Sequence, residues 1–143
     1  YTRNCYIMIA ANELRIGNLA YNQYGKIGTV WGFKVGDATH DFEHIVSFKE
    51  LNVNSCYSRY IKPISLTPEI LEKCGLKNGN SELDRNVFYS TNKHLAQFSV
   101  NISGSFGIYV GVFIALRSVH LEYLHQLQNL YFALTNEELN YTP

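Results

Sequence analysis

The chain has 143 residues, and its twelve Lys plus Arg balance its twelve Asp plus Glu to no net charge. That balance argues against a general nucleic-acid coat, which needs a basic excess, although a local basic patch stays open. The length suits a single domain with one real core.

Charged residues are sparse, while there are eleven Tyr and eight Phe. Aromatics at this density fit a strand-rich fold, because they pack well on a pleated, half-buried surface. A sticky interface or stacking pocket is the other use, since tyrosine buries area while keeping a polar tip. Cys5, Cys56 and Cys74 are an odd, widely spaced set. They form neither a disulfide framework nor a zinc pair, so reduced thiols in a cytosol are the simpler account. No apolar run reaches the length of a membrane span, and the start lacks the layout of a signal peptide. Met8 opens the first patterned segment. Residues 1–7 read as an upstream extension or cloning remnant, and 8–143 as one domain with a barrel-like half to residue 60.

Ala10 to Leu14 can form one helical turn, and Arg15 to Tyr21 reads as a turn entering a strand. Gly25 and Lys26 lead into Ile27 to Val35, rich in β-branched and aromatic residues, which Gly36 and Asp37 close as a turn. His44 to Phe48 is again strand-like. Three short strands with glycine-marked turns predict a small SH3-like bent barrel or one curled sheet. Gly28 and Gly32 inside a strand predict a bulge or tight bend. Asn52 to Tyr60 is polar and reads as a loop.

The best local signature runs from Pro63 to Gly75. Thr67 can cap a helix, Pro68 suits its first position, Glu69 favours its positive end, and Gly75 is a natural left-handed stop. This predicts a two-turn helix with Ile70, Leu71 and Cys74 facing inward. Lys77 to Asn86 reads as a polar linker. Strands are then expected at Val87 to Tyr89, Leu95 to Ile102, Phe106 to Leu116 and Ser118 to Tyr123, the third apolar at nearly every position and so buried on both faces. A final helix starts at Leu124, with Leu124, Leu127, Leu130, Tyr131 and Leu134 on one face and a stop near Asn136. Each of those side chains would contribute about 1.5–3 kcal/mol on burial. The predicted class is therefore α+β: an SH3-like bent β-barrel or sheet, a short helix, then an antiparallel β-meander packed by the C-terminal helix.

Catalytic signatures are missing from the sequence. There is no G-x-S-x-G, H-E-x-x-H or P-loop, and the Gly25 to Gly36 cluster has the wrong spacing and no trailing helix. Asp37, His40, Asp41, Glu43 and His44 are the densest set of possible metal ligands. They lie on a turn entering a strand, whereas metal sites usually draw ligands from rigid elements, so a solvated loop is the expectation. His120 and His125 flank the start of the last helix, His125 off the buried stripe. A catalytic pairing with Cys74 or Ser118 lacks an orienting group and an oxyanion site. Two basic-aromatic sets remain: Lys26, Trp31, Phe33 and Lys34 in the strands, and Tyr57, Arg59 and Tyr60 after them. Stacking combined with a cation is a common way to hold bases and nucleotides. Trp31 and Phe33 read more readily as barrel core, whereas Tyr57 and Tyr60 are harder to dismiss because clustered exposed aromatics need a reason.

Three blocks, Glu13 to Leu19, Ile64 to Gly75 and Leu124 to Leu139, resemble in order and spacing uncharacterised small accessory proteins of Bacteroidota phages and prophages. The resemblance covers most of the chain from Met8 onward. Those relatives tend to carry glycine where this chain has Asn136, and both residues tolerate positive φ. The resemblance implies a product made in the cytoplasm of an infected bacterial host that acts by binding defence proteins, signal nucleotides or nucleic acid. The expectation is a non-enzymatic phage-encoded binding protein that sequesters a nucleotide-type host immune signal, a counter-defence sponge. Its pocket would be drawn from Trp31, Lys34, Tyr57, Arg59 and Tyr60, with no metal or cofactor and with homo-oligomers formed. A nucleic-acid or protein adaptor on the SH3-like half, and a small phosphodiesterase-type hydrolase, are the alternatives.

Overall fold

The computed structural model describes residues 8–40, 43–51, 55–79, 87–89, 98–102, 108–112 and 117–143. The expectations for residues 1–7 and Cys5, for Asp41, and for the turn at Ser103 to Ser105 lie outside them. The fold is α+β and divides into two compact units, Tyr1–Ile64 and Ser65–Pro143.

Unit 1 is a curled antiparallel sheet of four strands in chain order: β1 (Leu19–Tyr21), β2 (Ile27–Val35), β3 (His44–Phe48) and β4 (Ser55–Tyr57). Its turns are built by short polar residues. Asn22, almost fully buried, accepts the backbone N–H groups of Tyr24 and Lys26 through its side-chain oxygen, both at 2.9 Å, and Gly25 takes the positive φ of 72° that closes the turn. Asn18 likewise accepts the Arg15 N–H at 2.7 Å. The bulge predicted from the glycines is present: Val30 pairs with Phe48 but Gly32 with Ser47, so Trp31 is the extra residue. Gly28 has a packing reason as well, because a Cβ there would lie 2.7 Å from Leu51 Cδ1. Beneath the sheet, Ile9, Leu14, Ala20, Val30, Val46, Phe48, Cys56 and Ile61 form one apolar cluster.

Two expectations for this unit are corrected. The stretch to Tyr60 is no plain loop, since Ser55–Tyr57 is a strand and Ser58–Tyr60 a 3-10 turn. Cys56 pairs with Val46 on the core face, a partnership that a three-residue strand cannot announce by its own periodicity. Trp31 and Phe33 are not barrel core: they are 60 % and 38 % exposed. The bulge takes Trp31 out of alternation, and β1 covers β2 only over Ile27–Thr29.

Unit 2 opens with helix α1 (Pro68–Lys73). The Thr67 hydroxyl accepts the Ile70 N–H at 3.3 Å, and Pro68 sits in the first turn. At its end Gly75 has φ 78°, with Gly75 N–H donating to Glu72 O at 2.9 Å and Leu76 N–H to Leu71 O at 3.1 Å, a paired closure that satisfies the last carbonyls. Five antiparallel strands follow, each beside its sequence neighbour: β5 (Lys77–Asn78), β6 (Val87–Tyr89), β7 (Phe98–Ile102), β8 (Ile108–Val112) and β9 (Arg117–Leu121). Lys77 and Asn78, expected as linker, pair with Tyr89 and Phe88. The two-faced burial expected of Phe106 to Leu116 lies outside the described side chains.

Helix α2 (Leu124–Thr135) ends where predicted, at Asn136 with φ 57°, whose N–H donates to Phe132 O at 2.7 Å. At its start the Gln126 side-chain oxygen accepts the Glu122 and Tyr123 N–H groups. Its buried face is broader than the leucine stripe: Leu124, His125, Leu127, Gln128 and Tyr131 are buried, whereas Leu134 is 43 % exposed. His125 is thus inside, contrary to expectation, with its ring stacked on Tyr123 at 5.9 Å. The face is centred between Leu124 and Gln128, which moves Leu130 and Leu134 to its flank. No helix among the described residues is long and apolar enough to cross a membrane.

Candidate ligand-binding site

The site is built on the end of unit 1 where β4 runs into the 3-10 turn. Tyr57 ends the strand, and Ser58, Arg59 and Tyr60 make the turn, closed by Ile61 N–H to Ser58 O at 3.1 Å. The chain is then tied back to β1. Tyr21 and Lys62 exchange both backbone hydrogen bonds, at 3.0 and 3.1 Å, and Ile9 N–H donates to Ile61 O at 3.3 Å. These ties bring Met8 and Lys62 alongside Tyr60, while the locked Asn22 turn presents Gln23 and Tyr24.

Arg59 reaches both tyrosines, its guanidinium carbon 5.8 Å from the Tyr57 ring centroid and 5.9 Å from that of Tyr60. Both distances fall within cation–π range. Glu43, just before β3, fixes it there. One carboxylate oxygen accepts the Arg59 backbone N–H at 2.7 Å and the Ser58 hydroxyl at 3.3 Å. The other accepts Arg59 Nε at 2.5 Å and pairs with a terminal guanidinium nitrogen. The Arg59 side chain beside Glu43 holds that carboxyl below its ordinary range. Gly36 permits the arrangement: its N–H donates to Glu43 O at 2.7 Å, and a Cβ at Gly36 would sit at that same distance from the oxygen. Glu43 therefore serves an ion pair, and among the described residues no three metal-binding side chains come together.

Two clefts adjoin this cluster. The larger, about 620 Å³, is walled by Tyr24, Tyr57 and Tyr60 over Ile45 and Cys56, and the smaller, about 400 Å³, is lined by Met8, Arg59, Tyr60 and Lys62. Gln23 and Tyr60 line both. Each cleft has the size of a small-molecule pocket. Burial pushes the Cys56 thiol up, only partly countered by the Gln23 backbone hydrogen bond, so it forms an apolar floor rather than a nucleophile.

Of the residues singled out in sequence, Tyr57, Arg59 and Tyr60 come together. Lys34 shares a cross-strand row with Ile45 and Tyr57, and so lies on the same sheet face two strands from the cluster. Trp31 stands apart at the bulge, with the Lys49 ammonium 5.2 Å from its ring. Sequence reasoning missed Met8, Gln23, Tyr24, Glu43, Ile45 and Lys62. Tyr24 alone left a signal, an aromatic at the tip of an Asn-to-Gly turn.

No family model, curated protein or solved structure matches this chain.

Proposed function

We propose that this is a non-enzymatic binding protein and that the tyrosine-walled clefts of unit 1 hold a small nucleotide-type ligand. The observation that carries the reading is the guanidinium within cation–π range of two tyrosine rings, beside two ligand-sized clefts. Rings offer faces for stacking a base, and the guanidinium offers charge-assisted donors to a phosphate. The curled sheet would present this face as the strands of an SH3-like barrel do, and within unit 2 the C-terminal helix would pack the meander.

The biological setting rests on the three sequence blocks alone. Under it, the protein is phage-encoded, works as a homo-oligomer in the cytoplasm of the infected host, and sequesters a nucleotide immune signal. A thermal-shift panel of cyclic dinucleotides, ADP-ribose derivatives and mononucleotides tests the binding. A true ligand at a hundredfold excess over Kd adds about 2.7 kcal/mol. A panel that moves no midpoint removes the reading, and unchanged ligand recovered after incubation separates sequestration from hydrolysis.

A second reading has its own observation. Trp31, Phe33 and Val35 are exposed on β2, with Lys49 over Trp31 and Lys34 on the opposite face of the strand. An adaptor would dock nucleic acid or protein there. DNA binding that falls steeply with salt and is lost in Trp31→Ala would favour it over the clefts.

A further inference from the structure

Resting on the cleft reading, we propose that the ligand is a free dinucleotide: two nucleosides joined by a single phosphodiester, with one base in each cleft and the bridge at Arg59. Three features of the site lead there. First, the two clefts are adjacent compartments divided by Tyr60 and Gln23, each large enough for a small ligand group. One undivided planar ligand would leave one compartment empty. Second, one cation lies within reach of both rings. The guanidinium is nearly equidistant from Tyr57 and Tyr60, so a ligand stacking one base on each tyrosine carries its linker past Arg59.

Third, Glu43 sets the charge that the site accepts. Its carboxylate is bound to Arg59 through the backbone N–H, Nε and a terminal nitrogen, so the cluster holds a compensated cation. A phosphodiester carries one negative charge, whereas a terminal phosphate carries about −1.5 to −2 at pH 7. With Lys62 in the smaller cleft, the cluster of Arg59, Glu43 and Lys62 carries one net positive charge, which a diester matches and a terminal phosphate exceeds. Mononucleotides and polyphosphates are thereby disfavoured against an internal diester. The Gln23 amide, at the divider, has donors and an acceptor suited to base edges. A free dinucleotide is favoured over a segment of a longer strand because the chain has no basic excess to follow a phosphate backbone.

The experiment is calorimetric titration of the full chain with ApA, GpG, AMP, GMP, adenosine and a twelve-residue oligoadenylate. Expected is binding of ApA or GpG at one per chain, at least tenfold tighter than the matching mononucleotide. Tyr57→Leu and Tyr60→Leu should each weaken it roughly tenfold to a hundredfold, as loss of one base–aromatic stack implies, with the thermal midpoint of each variant checking its fold. Mononucleotide binding as tight as the dinucleotide would overturn this proposal and leave the cleft reading standing. Binding by none of these probes would overturn the free dinucleotide, and the cleft reading falls with it only if the thermal-shift panel of cyclic dinucleotides and ADP-ribose derivatives also moves no midpoint. Oligoadenylate tighter per site than ApA, with a steep salt dependence, would overturn the free dinucleotide in favour of a strand. Wild-type affinity in both leucine variants would overturn the two-ring geometry.

Discussion

The open face of unit 1 and helix α2 of unit 2 treat their large side chains in opposite ways. Among the residues whose side chains are described, the large apolar groups left in water are Met8, Ile16, Tyr24, Trp31, Phe33, Val35 and Tyr60 in unit 1 and Leu134 on α2. Both units bury polar side chains, Asn18 and Asn22 at the turns of unit 1, and His125 and Gln128 beside Leu124 and Leu127 on helix α2. A folded chain gains from hiding aromatics, so a surface that keeps them out needs another reason, and the clefts beside Tyr24 and Tyr60 supply one. Helix α2 is arranged for internal packing, and unit 1 gives up part of that gain at its open face.

The sharpest way to break this contrast is to truncate one leucine from each side of α2. Leu127→Ala should lose about 2–5 kcal/mol in urea denaturation, as buried leucines do, while Leu134→Ala should stay within about 0.5 kcal/mol of the parent. Equal losses would mean that the buried face has been misplaced. Next comes the turn that presents Gln23 and Tyr24. Asn22→Ala leaves two inward backbone N–H groups without their acceptor and should cost roughly 1–3 kcal/mol. Hydrogen exchange at Tyr24 and Lys26 should rise with it. A variant with unchanged protection there would show that the turn is held by something else.

Smaller effects come from acid. Glu43 is held below its ordinary value of 4.5 chiefly by the Arg59 side chain, so the unfolded chain binds its proton first as pH drops. The stabilisation from this pair is fully present above about pH 4.5 and is lost as pH falls through the lower folded value. Glu43→Gln should therefore show a flatter stability profile as pH falls below about 4.5. Glu69 is also lowered, first by its own backbone N–H at the start of α1, but it stands in open solvent, so Glu69→Gln should barely change the profile. The smallest signal is chemical. Burial pushes Cys74 up to about 12 and raises Cys56 as well, so neither thiol should label with iodoacetamide at pH 8 until urea unfolds its unit. Prompt labelling of Cys56 would show that the floor of the larger cleft opens.

What could be read from sequence was local. Thr67, Pro68 and Gly75 mark the ends of α1 because caps act within a few residues, and Asn136 marks the stop of α2 for the same reason. Gly28 and Gly32 announced the bulge. Hidden were features made by distant partners: β4 exists because Cys56 meets Val46, and β5 because Lys77 and Asn78 meet β6. At the site, adjacency in sequence flagged Tyr57, Arg59 and Tyr60 as a group. Glu43 lies sixteen residues from Arg59, and Met8 and Lys62 arrive only through the Ile9–Ile61 and Tyr21–Lys62 backbone bonds, so no short motif could have named them. Trp31 was misread as core because alternation assumes an unbroken strand.

That break has a use of its own. A strand with one residue too many cannot be zipped along its full length by an incoming copy, and Lys34, set between Phe33 and Val35, puts an ammonium on the same segment. Together they let β2 carry Trp31, Phe33 and Val35 into water without seeding side-by-side polymerisation. Removing the extra residue while replacing the lysine by an apolar one would turn a guarded margin into a template for fibrils.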